Sequence, residues 1–243
     1  MAAQRAAVQA VKVRSRVEGG GADMGARRTL LVFLKYPEPG RVKTRLAGEI
    51  GTERAAALYR DWLGVVFNRL QPLRATARLV AFFDGAEYAA FRDWHELADD
   101  WWPQPSGDLG ARLTAGFAAG FDSGGPVLAV GTDCLEMEAV LIVRGFEELS
   151  HKDVVFGPAS DGGYYLVGVA APRPALFQSV RWSSPFTLAD HLLRCRENGW
   201  SVSLLPMRHD IDTRSDWQAY LVRNGSSRGG EFPDLGGSHP DSK

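Results

Sequence analysis

The chain has 243 residues, of which 45% are hydrophobic and 23% are charged, and its 28 Lys and Arg residues nearly balance its 29 Asp and Glu residues. Such a composition is typical of a soluble globular protein with one large domain or two small ones. Residues 29–223 carry a formal charge of −4, which argues against a general nucleic-acid binder because such a protein needs a basic face.

The sequence shows no pattern of a membrane or disulfide-rich protein. No apolar run approaches the roughly 18–20 residues of a membrane-spanning helix. Cys134 and Cys195 lie 61 positions apart, a spacing that matches neither a disulfide framework nor a zinc site. The N-terminal segment lacks the apolar stretch of a secretory signal, so we expect a cytoplasmic protein without a membrane partner. We expect a disordered basic tail at 1–28, a single domain at 29–223 and a disordered tail at 224–243.

Short apolar runs alternate with helical patterns along the chain. Strands are predicted at residues 30–34, 78–83, 126–130, 153–156, 164–169 and 201–205. Helices are predicted at residues 52–70, 108–121 and 136–149, from about 183 to 199, and after residue 213. This alternation predicts a three-layer α/β/α fold with a mostly parallel sheet. Ligands bind such sheets at the carboxyl ends of the strands.

The last two helices have recognisable start signals. Ser183 or Ser184 is expected to cap the first of them, with Pro185 at its first position. Thr213 and Asp216 are expected to form a capping box at the start of the second.

The loop after the first predicted strand is rich in cations. Lys35, Arg41, Lys43 and Arg45 fall within eleven positions, and two prolines and a glycine restrain the backbone. Arg supplies a bidentate fork and Lys a compact charge, so the loop is suited to surround the phosphates of a nucleotide. It matches neither a Walker P-loop nor a Gly-x-Gly-x-x-Gly loop. A solvated basic turn is the alternative.

The segment after the third predicted strand places an acid beside a glycine. Asp133 follows Gly131 and Thr132 directly after residues 126–130. A carboxylate at a strand end can hold a hard cation such as Mg²⁺ and leave room for substrate phosphates. The alternative is that Thr132 or Asp133 caps the following helix.

A pair of glycines follows the fourth predicted strand. Asp161 precedes Gly162 and Gly163, and paired glycines let a ligand approach the backbone closely. Asp161 would then be a second carboxylate at the same edge of the sheet. A plain hairpin turn is the alternative, because Asp-Gly is also its strongest sequence signal.

Two further loops also carry polar groups after strands. Asp210 and Asp212 point the same way if the chain is extended there, and with Asp133 they would complete a metal site. The alternative is a structural Asp212 that supports the capping box. Residues 104–112 begin a helix, where exposed backbone amides and Arg112 could receive an anion or a base. Together these loops favour Mg²⁺-bridged binding of a nucleotide, with charge neutralisation of a leaving phosphate as the mechanism.

Five segments follow one another in a recognisable order. They are Phe33-Leu34-Lys35-Tyr36-Pro37 with Gly40 and Lys43-Thr44-Arg45-Leu46; Gln104 with Gly107-Asp108-Leu109-Gly110 and Arg112; Gly131-Thr132-Asp133-Cys134; Gly157-Pro158 with Asp161-Gly162-Gly163-Tyr164-Tyr165-Leu166; and Asp210-Ile211-Asp212-Thr213 with Asp216. Together they resemble the DUF2064 family of bacterial GT-A-type transferases. Some members of that family are described as arsenosugar-biosynthesis glycosyltransferases or as transferases associated with radical-SAM and selenodomain proteins. The resemblance spans roughly residues 30–221.

The resemblance implies a nucleotide-diphospho-sugar transferase fold of the GT-A type and a divalent cofactor, Mg²⁺ or Mn²⁺. In that wider group the acid after the central strand binds the metal, which here is Asp133. A late acid joins it, which here is Asp212 or Asp210.

The same resemblance implies a nucleotide-binding set. Lys35, Lys43 and Arg45 would meet the phosphates. Gln104 and Gly107 would lie near the base.

The sequence departs from the pattern in two places. Leu135 follows Asp-Cys, where the family usually has Pro. Position 131 is Gly, so the two-Asp motif of many glycosyltransferases is absent, and a single acid there is closer to nucleotidyltransferases. Lys43-Thr44-Arg45-Leu46 is also similar to a Lys-Ser-Arg-Leu element of phospholactate guanylyltransferases.

The leading hypothesis is sugar transfer from a nucleotide-sugar to a small acceptor. Asp133 would anchor the metal, and Asp161 would serve as general base or orient the acceptor. The expected substrate-binding surface comprises Gly162, Gly163, Tyr164 and Trp182, with core packing as the alternative for Trp182. The second hypothesis is a nucleotidyltransferase that releases pyrophosphate from a nucleoside triphosphate. The third is a relative that binds nucleotide without catalysis.

Overall fold

A mixed β-sheet runs through the centre of the molecule. The computed structural model describes residues 13–14 and 27–225. Within these residues the sheet has eight strands, in the order β1-β4-β3-β2-β5-β7-β6-β8. The strands are β1 (Val13–Arg14), β2 (Arg27–Lys35), β3 (Ala77–Asp84), β4 (Asp100–Pro103), β5 (Gly124–Val130), β6 (Val154–Pro158), β7 (Tyr164–Val169) and β8 (Val202–Leu204).

Most strands of the sheet point the same way. The pairs β2–β3, β2–β5, β3–β4 and β6–β8 are parallel. β7 runs against its neighbours β5 and β6 because only a short hairpin joins it to β6, and β1 runs against β4. The mostly parallel sheet predicted from the sequence is confirmed.

Helices cover both faces of the sheet. They are α1 (Thr44–Ile50), α2 (Thr52–Leu70), α3 (Leu109–Gly120), α4 (Ala139–Glu148), α5 (Thr187–Glu197) and α6 (Arg214–Arg223). One core cluster joins side chains of α2, α4 and α6 to the sheet, including Trp62, Ile142 and Trp217. The other joins α3 and α5 to the opposite face, including Phe117 and Cys195. The three-layer arrangement is therefore confirmed, since apolar side chains of each helix layer pack on one face of the sheet.

Several predicted boundaries differ from the structure. α5 begins at Thr187 and not at Ser183 or Ser184, because the Ser184 hydroxyl donates to the Arg181 carbonyl and belongs to the preceding turn. α4 begins at Ala139 and not at residue 136. The capping box of Thr213 at the start of α6 is confirmed.

Some elements have no counterpart among the predictions. These are α1, β4 and β1, and the two residues of β1 fall inside the predicted N-terminal tail. β2 begins at Arg27, two residues before the predicted domain start. The rest of both predicted tails, residues 1–12, 15–26 and 226–243, lies outside the described residues. In the part of the chain that the structure describes, no helix is long and apolar enough to cross a membrane.

Candidate active site

A cleft of about 720 Å³ opens where β2 and β5 end. Eight of the twelve site residues expected from the sequence line it: Lys35, Lys43, Arg45, Gln104, Gly107, Asp133, Tyr164 and Asp212. The other four do not line it: Asp161, Gly162, Gly163 and Trp182.

The topology of the sheet brings the charged loops together. β2 and β5 are adjacent and parallel, with Val32 opposite Val130, so the loops that follow them leave the same edge of the sheet. The loop after β8 joins them, because the Ile211 N–H donates to the Asp133 carbonyl at 3.0 Å. Three segments that are distant in sequence thus surround one cleft.

Buried hydroxyl groups fix the start of the Asp133 loop. The Thr132 hydroxyl donates to the Phe33 carbonyl at 3.4 Å and lies 2.8 Å from the Tyr59 hydroxyl. The Tyr59 hydroxyl also accepts from the Lys35 N–H at 3.2 Å. Burial, and then the charge of Asp133, raises the pKa of Tyr59 above its ordinary value. This hydroxyl therefore stays protonated and links the ends of β2 and β5 to α2.

The capping alternative for this loop does not hold. α4 begins at Ala139, and its N-cap residue is Glu138 without a side-chain cap. Thr132 is buried in the hydroxyl network, and the Asp133 carboxylate is half exposed toward the cleft. The Asp133 carboxylate therefore faces the cleft and does not cap α4.

Lys43 lies between the carboxylates of two loops. Its ammonium is 2.5 Å from Asp133 Oδ1 and 3.3 Å from Asp212 Oδ1, and it donates to the Ile211 carbonyl at 2.7 Å. Only 3% of its side chain is exposed. One lysine thus connects the first loop of the protein to the acid after β5 and to the last loop.

Asp212 faces the cleft and not the helix that follows it. Its backbone N–H donates to Asp216, and Thr213 and Asp216 complete the capping box without the Asp212 carboxylate. That carboxylate contacts Lys43 and, at 3.5 Å, Arg45. Asp212 thus supports the capping box through its backbone N–H only, and its carboxylate lies in the cleft.

Asp210 is the acid whose environment is most unusual. It lines the cleft, and within the described residues no hydrogen bond or ion pair to its carboxylate is found. Burial, reinforced by the charges of Asp133 and Asp161, raises the pKa of Asp210 to about 7. The sequence offered Asp210 together with Asp212 as candidate metal ligands on one face, but alternation does not reveal how far either side chain is buried.

The chemistry of these acids fits a hard divalent cation. Asp133, Asp210 and Asp212 offer only carboxylate oxygens, which Mg²⁺ and Mn²⁺ prefer over nitrogen or sulfur. Within the described residues, the Asp210 carboxylate has no ion pair that a metal would have to displace. A preformed cage is not present, however: among the described residues no three His, Cys, Asp or Glu side chains converge in metal-binding geometry. The Lys43 ammonium lies between two of the acids.

The predicted base-binding segment is held by internal contacts. The Gln104 side-chain amide donates to the Phe82 carbonyl at 2.7 Å and accepts from Arg112 at 3.1 Å. Arg112 also pairs with Asp84 at 2.5 Å and donates to the Gly107 carbonyl at 3.1 Å. Both polar ends of the Gln104 amide are therefore occupied, and the residue shapes this wall of the cleft.

Residues 159–163 form a hairpin turn between β6 and β7. This is the alternative to a ligand-binding role that the sequence left open for Asp161-Gly162-Gly163. Gly162 has a φ of 90°, and a Cβ atom there would lie 2.2 Å from the Pro185 carbonyl oxygen. The exposed Asp161 accepts from the Gly163 N–H at 2.8 Å. The glycine is thus required by the turn and by a close contact within the protein.

Tyr164 lines the cleft, and its hydroxyl reaches a buried histidine. His191 Nδ1 lies 3.0 Å from the Leu176 carbonyl, which can only accept, so Nδ1 carries the proton. Nε2 then accepts from the Tyr164 hydroxyl at 3.2 Å. Burial lowers the pKa of His191 to about 4. Trp182 contacts the same ring edge-to-face at 5.3 Å and packs against the core, as its alternative interpretation expected.

Two more residues, Arg41 and Ser183, line the cleft but were not among the site residues expected from the sequence motifs. Arg41 belongs to the basic loop, and its position among the other cations was a usable signal. Ser183 has a φ of 53°, a conformation uncommon for a residue other than glycine. No sequence pattern predicts that geometry, because a helix cap is the more common role for a serine two positions before a proline.

Comparison with solved structures defines the class of protein. A protein from Desulfovibrio desulfuricans G20, described as a candidate nucleotide-diphospho-sugar transferase, shares 31% identity over 83% of this chain and 89% of its own, with a TM-score of 0.76. The 4-diphosphocytidyl-2C-methyl-D-erythritol synthase of Anaerococcus prevotii shares 12% identity over 81% and 99%, with a TM-score of 0.52. A Mycobacterium tuberculosis H37Rv protein in complex with manganese shares 14% over 81% and 98%, also at 0.52. The fold is that of the nucleotide-diphospho-sugar transferases.

The family is narrower than the fold. The DUF2064 model, described as an uncharacterized protein conserved in bacteria, matches residues 67–184. This chain belongs to the DUF2064 family. No curated protein matches the sequence.

Proposed function

We propose that the protein is a metal-dependent transferase that moves a sugar from a nucleotide-sugar to a small acceptor. The observation that carries the proposal is the meeting of a cationic loop with Asp133, Asp210 and Asp212 in one cleft at the ends of parallel strands. That combination is suited to bind a diphosphate and to stabilise it as it leaves. The description of the relative with 31% identity supports a nucleotide-sugar as the donor.

Lys35 and Arg45 are the side chains available to the phosphates. Among the described residues, no ion pair to the Lys35 ammonium is found, and 77% of the Arg45 side chain is exposed. The 3.5 Å contact of Arg45 with Asp212 is an exposed pair of small energetic value. Both cations are therefore free to turn toward a ligand at little cost.

A divalent ion would be held by Asp133 and Asp212, with Asp210 as the third oxygen ligand. When bound, Mg²⁺ or Mn²⁺ neutralises the charge that develops on the leaving diphosphate. The Tyr59 and Thr132 hydroxyls hold the Asp133 loop in place for this task. The contacts of these two hydroxyls are buried, so the position of Asp133 as a metal ligand does not depend on a flexible loop.

The remaining assignments concern the base and the acceptor. Gln104 would shape the base pocket by holding the backbone at Phe82 with its side-chain amide. Gly107, which has no side chain, would leave space for the base next to Gln104. Asp161 keeps one carboxylate oxygen that no described N–H group binds, and it would orient the acceptor from the hairpin turn. The ring of Tyr164 would form an apolar wall for a sugar, while Trp182 would support that wall through His191.

The decisive experiment is product analysis. The protein is incubated with a panel of nucleotide-sugars and Mn²⁺, and release of nucleoside diphosphate is expected with at least one donor. Absence of both release and binding with every donor would contradict the proposal.

A second candidate function is nucleotidyl transfer from a nucleoside triphosphate. It is favoured by the single acid of the Gly131-Thr132-Asp133 segment and by the Lys43-Thr44-Arg45-Leu46 element. Pyrophosphate release in the same assay, with triphosphates as substrates, would favour this candidate over sugar transfer.

A further inference from the structure

The Lys43 ammonium has a set of protein contacts that a role in phosphate binding alone does not explain. Its ammonium contacts three acceptors, Asp133 Oδ1, Asp212 Oδ1 and the Ile211 carbonyl, within 3.3 Å. The ammonium donates hydrogen bonds to Asp212 Oδ1 and the Ile211 carbonyl and forms an ion pair with Asp133, so its contacts are already made within the protein. Since its side chain is only 3% exposed, it can reach a phosphate only by leaving these partners.

The surroundings of Lys43 favour this buried position. The ammonium lies 5.4 Å from the centre of the Trp62 ring, within the range of a cation–π contact. The backbone at Lys43 has a φ of 46°, a left-handed conformation that costs free energy for a residue other than glycine. The backbone is therefore strained at Lys43, the residue whose side chain is directed at Asp133 and Asp212.

The position of the ammonium is the position that a bridging cation would take. A metal bound by Asp133 and Asp212 together must lie between their carboxylates, where Lys43 Nζ now lies. The metal ion and the Lys43 ammonium would repel each other strongly if both lay between these carboxylates in a partly buried site. The lack of a preformed metal cage among the described residues is consistent with this occupancy.

We propose that Lys43 is an internal counter-ion that exchanges with the divalent metal. Without metal the ammonium bridges Asp133 and Asp212. When the metal binds these acids, the ammonium is displaced into the cleft and becomes available to a phosphate group. The metal alone therefore binds weakly, and metal and phosphate bind better together than either does alone. This inference rests on the metal ligands named in the proposed function.

Metal affinity measured without any substrate tests the exchange. Binding of Mn²⁺ to the full-length protein is followed by the electron paramagnetic resonance signal of free Mn²⁺. Lys43→Met and Lys43→Gln are expected to bind Mn²⁺ at least about tenfold more tightly than wild type, because a competing charge is removed. Lys35→Met is the matched control: it removes a cleft lysine without an ion pair to these acids, and its affinity should stay within about twofold.

Three results separate this inference from the proposed function. If Asp133→Asn abolishes Mn²⁺ binding but both Lys43 variants bind as wild type does, the exchange is overturned and the metal ligands stand. If neither wild type nor the Lys43 variants bind Mn²⁺, both the exchange and the metal-dependent function fall. If only the Lys43 variants bind measurably, the exchange is supported directly. Circular dichroism of each variant establishes that it is folded.

A second measurement tests the coupling to phosphate. The thermal unfolding temperature is recorded with Mg²⁺ alone, with inorganic pyrophosphate alone and with both, since a ligand of the folded state raises it. In wild type, the shift with both ligands should exceed the sum of the single shifts. In Lys43→Met, Mg²⁺ alone should give a larger shift than in wild type, and the excess with both ligands should be smaller than in wild type. Additive shifts in wild type would overturn the coupling.

Discussion

The cleft has two halves that differ in how their residues are used. In the charged half, Lys43 joins the carboxylates of Asp133 and Asp212, and each of these residues lines the cleft. In the hairpin half, Gly162 is required by a turn and a close backbone contact, and Trp182 packs on His191. Residues of both halves stand in motifs of one family, yet in the hairpin half Tyr164 lines the cleft while Asp161, Gly162 and Gly163 do not.

The difference between the halves follows from the chemistry of the residue types. A charged side chain at a strand end is costly to bury without a partner, so it either reaches solvent in the cleft or finds an ion there. Glycine and tryptophan serve a turn or a core equally well. A motif made of such residues therefore predicts local structure better than it predicts contact with a ligand.

The largest effect should come from Asp133 in the charged half. Asp133→Asn removes a metal ligand and the ion pair with Lys43, so turnover in the product-release assay should fall by about 10²–10³-fold. Asp161→Asn removes one hydrogen-bond acceptor in the hairpin turn and should cost only about tenfold, mainly in the KM for the acceptor.

The matched pair of variants also tests the comparison itself. Both substitutions are isosteric and neutralise one exposed acid, but they alter different halves, and Asp133→Asn also removes the ion pair with Lys43. Equal losses in turnover would show that the hairpin half supplies a group to the chemistry, and Asp161 would then be the general base.

The next effect concerns stability in the hairpin half. Gly162→Ala places a Cβ atom 2.2 Å from the Pro185 carbonyl oxygen at a φ of 90°. Backbone strain and overpacking together should lower the free energy of unfolding by about 4 kcal/mol. Chemical denaturation measures this change.

Gly199→Ala provides the matched control. Gly199 has a φ of 65°, but among the described residues no atom beyond its chain neighbours lies within 4 Å of its Cβ position, so only strain of about 1 kcal/mol is expected. If Gly162→Ala is as stable as wild type and loses only donor or acceptor binding, the glycine serves a ligand and our structural interpretation is wrong.

Sequence reasoning succeeded where periodicity and topology decide the outcome. Helix α2 (Thr52–Leu70) and strand β7 (Tyr164–Val169) have the predicted bounds, because their apolar spacing is regular. It failed for α5, whose start at Thr187 has no side-chain cap. Ser184 and Pro185 looked like a start signal, but tertiary contacts place them in a turn.

The same division applies to the site. Position after a strand predicted that Lys43, Asp133 and Asp212 would meet, because the ends of parallel strands share an edge. No pattern predicted that the Lys43 ammonium would lie between two acids, since that depends on a left-handed backbone and on the depth of the side chain. The partial burial of Asp210 is also a property of tertiary packing alone.

A third effect is the acid sensitivity of the hairpin half. Burial lowers the pKa of His191 to about 4 from an ordinary 6.5. Between these values the folded protein binds fewer protons than the unfolded chain, so stability is complete above pH 6.5 and is lost as the pH falls toward 4. The loss due to this residue should reach up to about 3 kcal/mol.

The measurement is the free energy of unfolding of wild type and His191→Gln from pH 7 to pH 4. The variant should show the shallower dependence, while His151→Asn, which changes an exposed histidine, should follow wild type. Parallel curves for wild type and His191→Gln would contradict the prediction.

The smallest effect should come from Tyr164, the residue at which the two halves meet. Tyr164→Phe keeps the ring in the cleft but leaves His191 Nε2 without its donor. An unpaired buried acceptor should cost about 1 kcal/mol of stability, measured by denaturation. Because the Tyr164 hydroxyl donates its only hydrogen to His191, it cannot donate to a sugar at the same time. The KM for the donor should therefore change by less than about threefold, and a loss of tenfold or more would mean that the hydroxyl leaves His191 to bind substrate.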